Sequence, residues 1–500
     1  MKAGGWIEQR EILRWTKVCF LWAMGCLWLG ISPPDGLCLG ATEGQPASQM
    51  IRGPLRSHPE NPRYFTDDGQ RAVYLTGAHT WNNLQDMDDQ EPLRPFDFDA
   101  YLDFLTKYHH NFIRLWRWEL LKWDTSANNQ KPKKVLRVEP HPWLRSGPGL
   151  ALDSKPKFDL RQFDESYFQR LRSRVAAAQK RGIYVSVMLF EGWGLQHVPD
   201  AWKAHPFHPD NNINGIQPDR DGDGQGLEVH TLQVPEVTKI QEAYVRKLID
   251  TLNDLDNVLY EIANEAGTYS TEWQEHFIRF VHQYEKTKPK QHPVGMTFQW
   301  SRDAAKRGSN ETLFKSSADW ISPNPAAPPP FDYRTNPPPA DGRKVILSDT
   351  DHLWGVGGDV QWVWKSFLRG LNPLFMDPYQ QQVLRRGEEA QWDLVRRAMG
   401  VAHRLAENVN LAKMVPHGEL SSTGYCLAEP GKEYLVLLPE GGKVSVDLSS
   451  ANRQFQVRWV HPVTGQISPA EPITGGQRRS LQAPFAGPAV LELRATNLPP

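Results

Sequence analysis

The stretch Val258-Leu259-Tyr260-Glu261-Ile262-Ala263-Asn264-Glu265 is an apolar run that ends in Asn-Glu. Its composition reads as a buried strand, and the polar pair marks where that strand leaves the core for a loop. Seven further runs of this kind occur, at 72–79, 111–119, 183–191, 294–300, 319–323, 344–351 and 372–377. Between them, 98–108, 163–180, 237–255, 272–284, 360–368 and 390–407 carry apolar residues at three- and four-residue spacing, as helices covered on one face do. Strands alternating with helices imply a parallel sheet, and eight such units imply one closed on itself. The expected fold is therefore α/β, a (β/α)8 TIM barrel over 55–409.

From about Leu411 the pattern changes to short alternating strands with Gly and Pro turns, at 425–428, 434–438, 444–448, 455–460 and 489–493. This predicts a smaller C-terminal antiparallel β-sandwich over 410–500, packed on the barrel or binding a ligand of its own. At the other end, Arg10, Arg14 and Lys17 precede an apolar run at 18–31, which is short for a membrane span. The reading is an export signal over 1–40, cleaved near Gly40 and Ala41, then a leader over 41–54. Ala23-Met24-Gly25-Cys26 lies inside the apolar run and makes a poor lipoprotein box, so acylation is a minor alternative. Cys19, Cys26 and Cys38 would leave with the signal, and Cys426 alone could form no intrachain disulfide. A periplasmic or secreted location with no stable membrane span is expected.

The chain has 57 basic and 58 acidic residues, a net charge of -1, and no long run of Lys or Arg. Nucleic acid is not an expected partner, because phosphate neutralisation needs a basic footprint. Nineteen Trp are many for this length, and their flat apolar faces suit sugar rings as well as a large core.

With its Asn-Glu at the end of the fourth of eight strands, the chain resembles the clan of retaining glycoside hydrolases whose fourth barrel strand ends in that pair. The resemblance implies an oligo- or polysaccharide substrate, Glu265 as general acid/base and Asn264 as ligand of the sugar hydroxyl beside the reacting carbon. A carboxyl group that protonates a leaving oxygen must hold its proton near neutral pH, which an apolar cleft favours. The second carboxylate should stand on strand seven, in Lys344-Val345-Ile346-Leu347-Ser348-Asp349-Thr350-Asp351-His352. There the sequence departs from the clan, which has Glu. Asp349 takes the motif position and is the favoured nucleophile; Asp351, two residues on and on the same strand face, is the alternative. His352 would orient the winner or bind substrate. Carboxyl groups about 5 Å apart make such an enzyme retaining, and about 6.5–9.5 Å apart inverting.

Arg114 matches the clan's second-strand Arg, which keeps the nucleophile charged. Strand ends also offer His79, Trp81, Glu119, Glu191 and Trp300 as candidate sugar contacts. Beyond the barrel motifs, the likeness extends over 55–495 to cellulase-like bacterial proteins with a C-terminal domain named for collagen binding.

Asp219-Arg220-Asp221-Gly222-Asp223-Gly224 repeats the start of a calcium loop, with His230 in place of the Glu expected at its twelfth position. A structural Ca2+ on Asp219, Asp221 and Asp223 is the one metal the sequence suggests, and the chemistry requires no cofactor. Two other readings stay open. One is a glycan-binding barrel without catalysis; the other is a metal-dependent hydrolase using the acidic loop and His352. The sequence leaves oligomeric state open.

Overall fold

A computed structural model describes residues 50–496. The expected export signal, its cysteines and most of the leader lie outside those residues.

Eight parallel strands form a closed barrel: β1 (Gly77–His79), β2 (Phe112–Leu115), β3 (Tyr184–Glu191), β4 (Val258–Asn264), β5 (Val294–Thr297), β6 (Trp320–Ser322), β7 (Val345–Asp349) and β8 (Asn372–Met376). Each neighbours the next, and β8 pairs with β1 through Met376 and His79 to close the ring. All eight fall inside the stretches read from sequence. Several are shorter at their C-terminal ends, so Glu119 and Trp300 stand in loops beyond the ladder and Asp351 in a short helix, Thr350–Leu353.

The covering helices are α1 (Phe98–Lys107), α2 (Glu165–Lys180), α3 (Pro235–Leu252), α4 (Thr271–Glu285), α5 (Asn310–Lys315), α6 (Val360–Leu368) and α7 (Glu389–Glu407). Aspartates start several of them: Asp97 accepts from the Ala100 N–H, Asp164 from Ser166 and Asp359 from Trp362. On α4, Trp273, Phe277, Ile278 and Val281 form the buried face at helical spacing. Between β6 and β7 the described chain has no helix. The Pro-rich segment 323–342 lies there, and proline removes the N–H groups a helix would need.

Period-two alternation sets what fills the barrel. Phe112, Tyr184, Leu259, Trp320, Val345, Leu347 and Leu374 belong to one buried apolar cluster. Two residues further along their strands, on the same faces, come Arg114, Glu261 and Asp349. An apolar plug thus lies beneath a charged layer at the C-terminal ends of the strands. Gly295 is required by this packing, because a Cβ there would lie 1.9 Å from the Trp320 ring.

The C-terminal part is a six-stranded antiparallel sheet and a two-stranded one. Val415–Pro416, β9 (Cys426–Glu429), β10 (Glu433–Leu438), β12 (Gln454–Val460), β13 (Ile467–Thr474) and β15 (Ala489–Ala495) make the first; β11 (Gly441–Asp447) and β14 (Arg478–Ala486) make the second. Along the large sheet Tyr434, Val436, Leu438, Val457 and Trp459 enter a core shared with Val444 and Val446 of β11. Residues of opposite parity, Leu435, Leu437, Val460 and Val490, join the barrel's own cluster. Trp364 of α6 donates through Nε1 to the Pro462 carbonyl at 3.0 Å, and Tyr425 Oη donates to Asn336 Oδ1 at 2.9 Å. This sheet therefore packs on the barrel. Cys426 is buried and is the one free cysteine among the described residues. No described helix is long and apolar enough to cross a membrane.

Candidate active site

Arg114 organises the charged layer. Its Nε and Nη2 donate to the two oxygens of Glu261 at 2.8 and 2.7 Å, and its Nη1 reaches Asp349 Oδ2 at 2.9 Å and Asp351 Oδ2 at 3.0 Å. Nη2 also donates to Asn264 Oδ1 at 2.7 Å. One buried cation is shared by three carboxylates. Without it those acids would be buried charges lacking compensation.

Asp349 is enclosed. Its Oδ1 lies 3.1 Å from His79 Nε2 and accepts the Asp351 N–H at 2.9 Å, while Oδ2 is taken by Arg114. Burial works against its charge, but His79 and Arg114 together hold its carboxyl well below the usual carboxylate range. Asp351, in the short helix Thr350–Leu353, keeps an open side. Burial raises its carboxyl to about 6; Arg114 pulls it down, and the neighbouring Asp349 charge pushes it back up.

Glu265 directly follows β4 and adopts φ +49, the left-handed region that a non-glycine residue rarely occupies. Gln196 braces this turn. Its Nε2 donates to the main-chain oxygens of Glu265 at 2.8 Å and of Gly192 and Trp300 at 3.2 Å. Burial, then the Asp351 charge, lifts the Glu265 carboxyl well above the usual range. Arg114 opposes this without cancelling it.

Asn264 is locked through its oxygen. It accepts from Arg114 Nη2, and His352 Nε2 stands 3.2 Å away. Burial, helped by Arg114, lowers His352 to about 3, so the ring is neutral at ordinary pH. Donation from Nε2 to Asn264 then leaves Nδ1 to accept from the Ser322 hydroxyl at 2.7 Å. The Asn264 Nδ2, in contrast, is buried beside the Glu191 carboxyl without a well-formed hydrogen bond.

A cavity of about 520 Å³ opens over this layer. Glu265, Asp351 and His352 line it, together with Trp81, Trp193, Trp300, Trp354, Phe298, Met376, Asn128, Asn324, Arg307 and Arg334. Its walls come largely from the long loops after the strands. The C-terminal face of a barrel is where such loops build sites.

Asp349, the favoured nucleophile from sequence, does not line the cavity, because three neighbours occupy its oxygens; Asp351 does. His79 is buried against Asp349 and Trp116, and so acts behind the cavity. Glu119 is likewise away from it: Oε2 lies 3.1 Å from His205 Nε2 and 2.9 Å from His230 Nε2, and Oε1 3.3 Å from Arg117. That carboxylate ties the loop after β2 to the loop after β3. Glu191 is buried with both oxygens toward the Gly194 N–H, and burial pushes its carboxyl up to about 8. Trp81 and Trp300 do line the cavity. Sequence reasoning missed Glu261, Gln196 and the two cavity arginines. Glu261 was legible in principle, since it shares the inward parity of Leu259; Gln196 and the arginines sit in irregular loops where periodicity gives no direction.

The metal expectations resolve partly. One oxygen from each of Asp219, Asp221 and Asp223 lies within 4.8 Å of the others, and Asp219 Oδ1 is buried without a hydrogen-bond partner. That donor set fits a hard divalent cation. His230 cannot serve as the twelfth-position ligand, because it is buried against Glu119. Among the described residues no other group of three metal-ligating side chains converges, and His352 is not with these. The three aspartates converge with one another and not with His352.

Residues 139–305 match a family described as "Domain of unknown function (DUF6298)". No curated protein sequence matches the chain. Among solved structures, one described as "Glycoside hydrolase" aligns with a TM-score of 0.55 at 11% identity, covering 90% of this chain and 99% of that one. A glycoside hydrolase family 5 structure from Bacteroides vulgatus ATCC 8482 aligns with a TM-score of 0.56 at 12% identity, covering 90% and 95%. At such identities the likeness concerns fold alone: about nine-tenths of this chain shares the fold of these two structures.

Proposed function

We propose that the protein is a glycoside hydrolase that cleaves an O-glycosidic bond by a double displacement retaining the anomeric configuration, with Asp351 as nucleophile and Glu265 as general acid/base. The observation that carries this reading is that the two acids line one tryptophan-walled cavity, where Glu265 is raised well above the usual carboxylate range and Asp351, beside Arg114, only to about 6. Glu265 keeps its proton through burial and the adjacent charge, as an acid assisting a leaving oxygen must. Asp351 is ionised against Arg114, as an attacking oxygen must be. Asp349 and His79 hold Arg114 in place from behind, and the Nδ2 of Asn264 supplies a donor for a sugar hydroxyl. Attack of Asp351 on the anomeric carbon breaks the bond to the leaving oxygen, which takes the Glu265 proton. Glu265, now charged, deprotonates the water that releases the sugar.

The screen is a panel of aryl glycosides of both anomers. Wild type should release aglycone from at least one, D351N from none, and E265Q should lose most on the poorest leaving groups, which need the proton most. Release by D351N at the wild-type rate would reject Asp351. Proton NMR of the first sugar formed reads retention directly. A glycan-binding barrel would show no release with any variant.

Asp219, Asp221 and Asp223 are proposed to hold a structural Ca2+ remote from this chemistry. Export through the N-terminal signal remains part of the proposal, and N-terminal sequencing of the mature protein tests it.

A further inference from the structure

Two arginines enter the cavity from different loops and share an unusual environment. Arg307, after β5, donates its Nε to the Ser301 carbonyl at 2.7 Å, and Arg334, after β6, donates its Nε to the Leu353 carbonyl. Each guanidinium lies over a tryptophan of the cavity wall, Arg307 at 5.0 Å from the Trp300 ring centroid and Arg334 at 5.8 Å from that of Trp354. Both line the cavity, and neither forms an ion pair among the described residues. Arg307 is exposed and Arg334 half-buried; each is oriented by stacking and by the carbonyl, and no described hydrogen bond engages its terminal nitrogens.

The acids of the same cavity cannot satisfy them. Asp351 is engaged by Arg114, and no described ion pair joins Glu265 to either arginine. Stacked, pre-positioned guanidinium groups present a planar fork that matches a carboxylate or sulfate with two parallel hydrogen bonds. Two cations in one concave site also concentrate anions there. A neutral sugar would leave both guanidinium groups to water alone.

We propose that the cavity takes a glycan bearing an anionic group, a uronate carboxylate or a sulfate ester, and that Arg307 and Arg334 bind that group. The inference rests on the hydrolase reading for the sugar itself, and adds the charge of the substrate.

The test uses full-length E265Q, labelled and applied at physiological salt to a glycan array holding neutral, uronate and sulfated oligosaccharides. The tightest ligand is then compared with its carboxyl-reduced or desulfated form by calorimetry; which of these treatments weakens binding identifies the anion. We expect a loss of at least about tenfold on removal of the charge, from the strength of a charged hydrogen bond. R307Q/R334Q in the same background should erase the preference, and R307K/R334K should keep part of it, since Lys retains charge but not the fork. Thermal melts confirm that both variants fold. The proposal is overturned if only neutral glycans or none are bound, if the uncharged form binds as tightly, or if the Gln variant keeps the preference. Because binding is read on E265Q, a lost preference leaves the hydrolase reading standing. A kept preference with no glycan cleaved by wild type sinks the hydrolase reading alone.

Discussion

Arg114 Nη1 stands 3.0 Å from Asp351 Oδ2 and makes an acid placed between Asp349 and Glu265 able to ionise. The same nitrogen also reaches Asp349, so the charge on Asp351 depends on how many acids share the cation.

The two aspartates should separate by substitution. D351N is expected to lose on the order of 10⁴-fold or more in kcat, as removal of a nucleophile does. D349N should keep measurable turnover with its acid limb moved to lower pH, because Arg114 is then shared by fewer charges. Steady-state rates across pH decide the matter, and a dead D349N beside an active D351N would reverse the assignment.

The pH profile has a required shape. Asp351 must be ionised and its carboxyl sits at about 6, so kcat/KM should fall as pH drops through that value. Glu265 must be protonated and is raised, so the alkaline limb lies well above the range of an ordinary Glu. An optimum below pH 5 would contradict both halves.

Replacing Arg114 by Leu strands three buried carboxylates. Losing one partner of a buried ion pair costs about 3–5 kcal/mol, so R114L should unfold at markedly lower denaturant or fail to accumulate folded. Urea titration of R114L beside E261Q reads this, with E261Q the milder because it removes one acid and leaves the cation paired.

Gly295→Ala probes the barrel plug without touching the chemistry. With the added Cβ 1.9 Å from the Trp320 ring, overpacking should cost roughly 1–3 kcal/mol or more. A melting temperature equal to wild type would mean that the Trp320 ring moves aside freely.

Calcium should raise the melting temperature of wild type and EDTA lower it, while D221N/D223N responds to neither, as ligand linkage requires. Enzymatic rate per folded molecule should not change with chelator.

The fold was legible because each barrel strand lies inside an apolar run, even where the ladder itself is only three residues long, and because helical spacing lies between most successive runs. Arg114 was legible for a related reason, since it sits where regular ladder geometry fixes the side-chain direction; Glu265 was marked by the Asn-Glu pair that ends the run, although its own backbone leaves the ladder. Choosing between Asp349 and Asp351 was not, since two residues of the same parity face the same way until β7 ends at Asp349 and the chain turns into a helix. Glu119 misled for the opposite reason. Its strand stops at Leu115, so nothing local shows that its carboxylate meets His205 and His230 from another loop.

The large C-terminal sheet is apolar on both sides, one side serving its own small core and the other the barrel beneath α6. Outside its exposed edge strand β13, such a layer has little wettable surface to present if cut free. Truncation before Tyr425 would bare a greasy patch on each fragment and loosen the helix that follows the Asp351 loop, so this protein should be expressed and engineered as a single indivisible body.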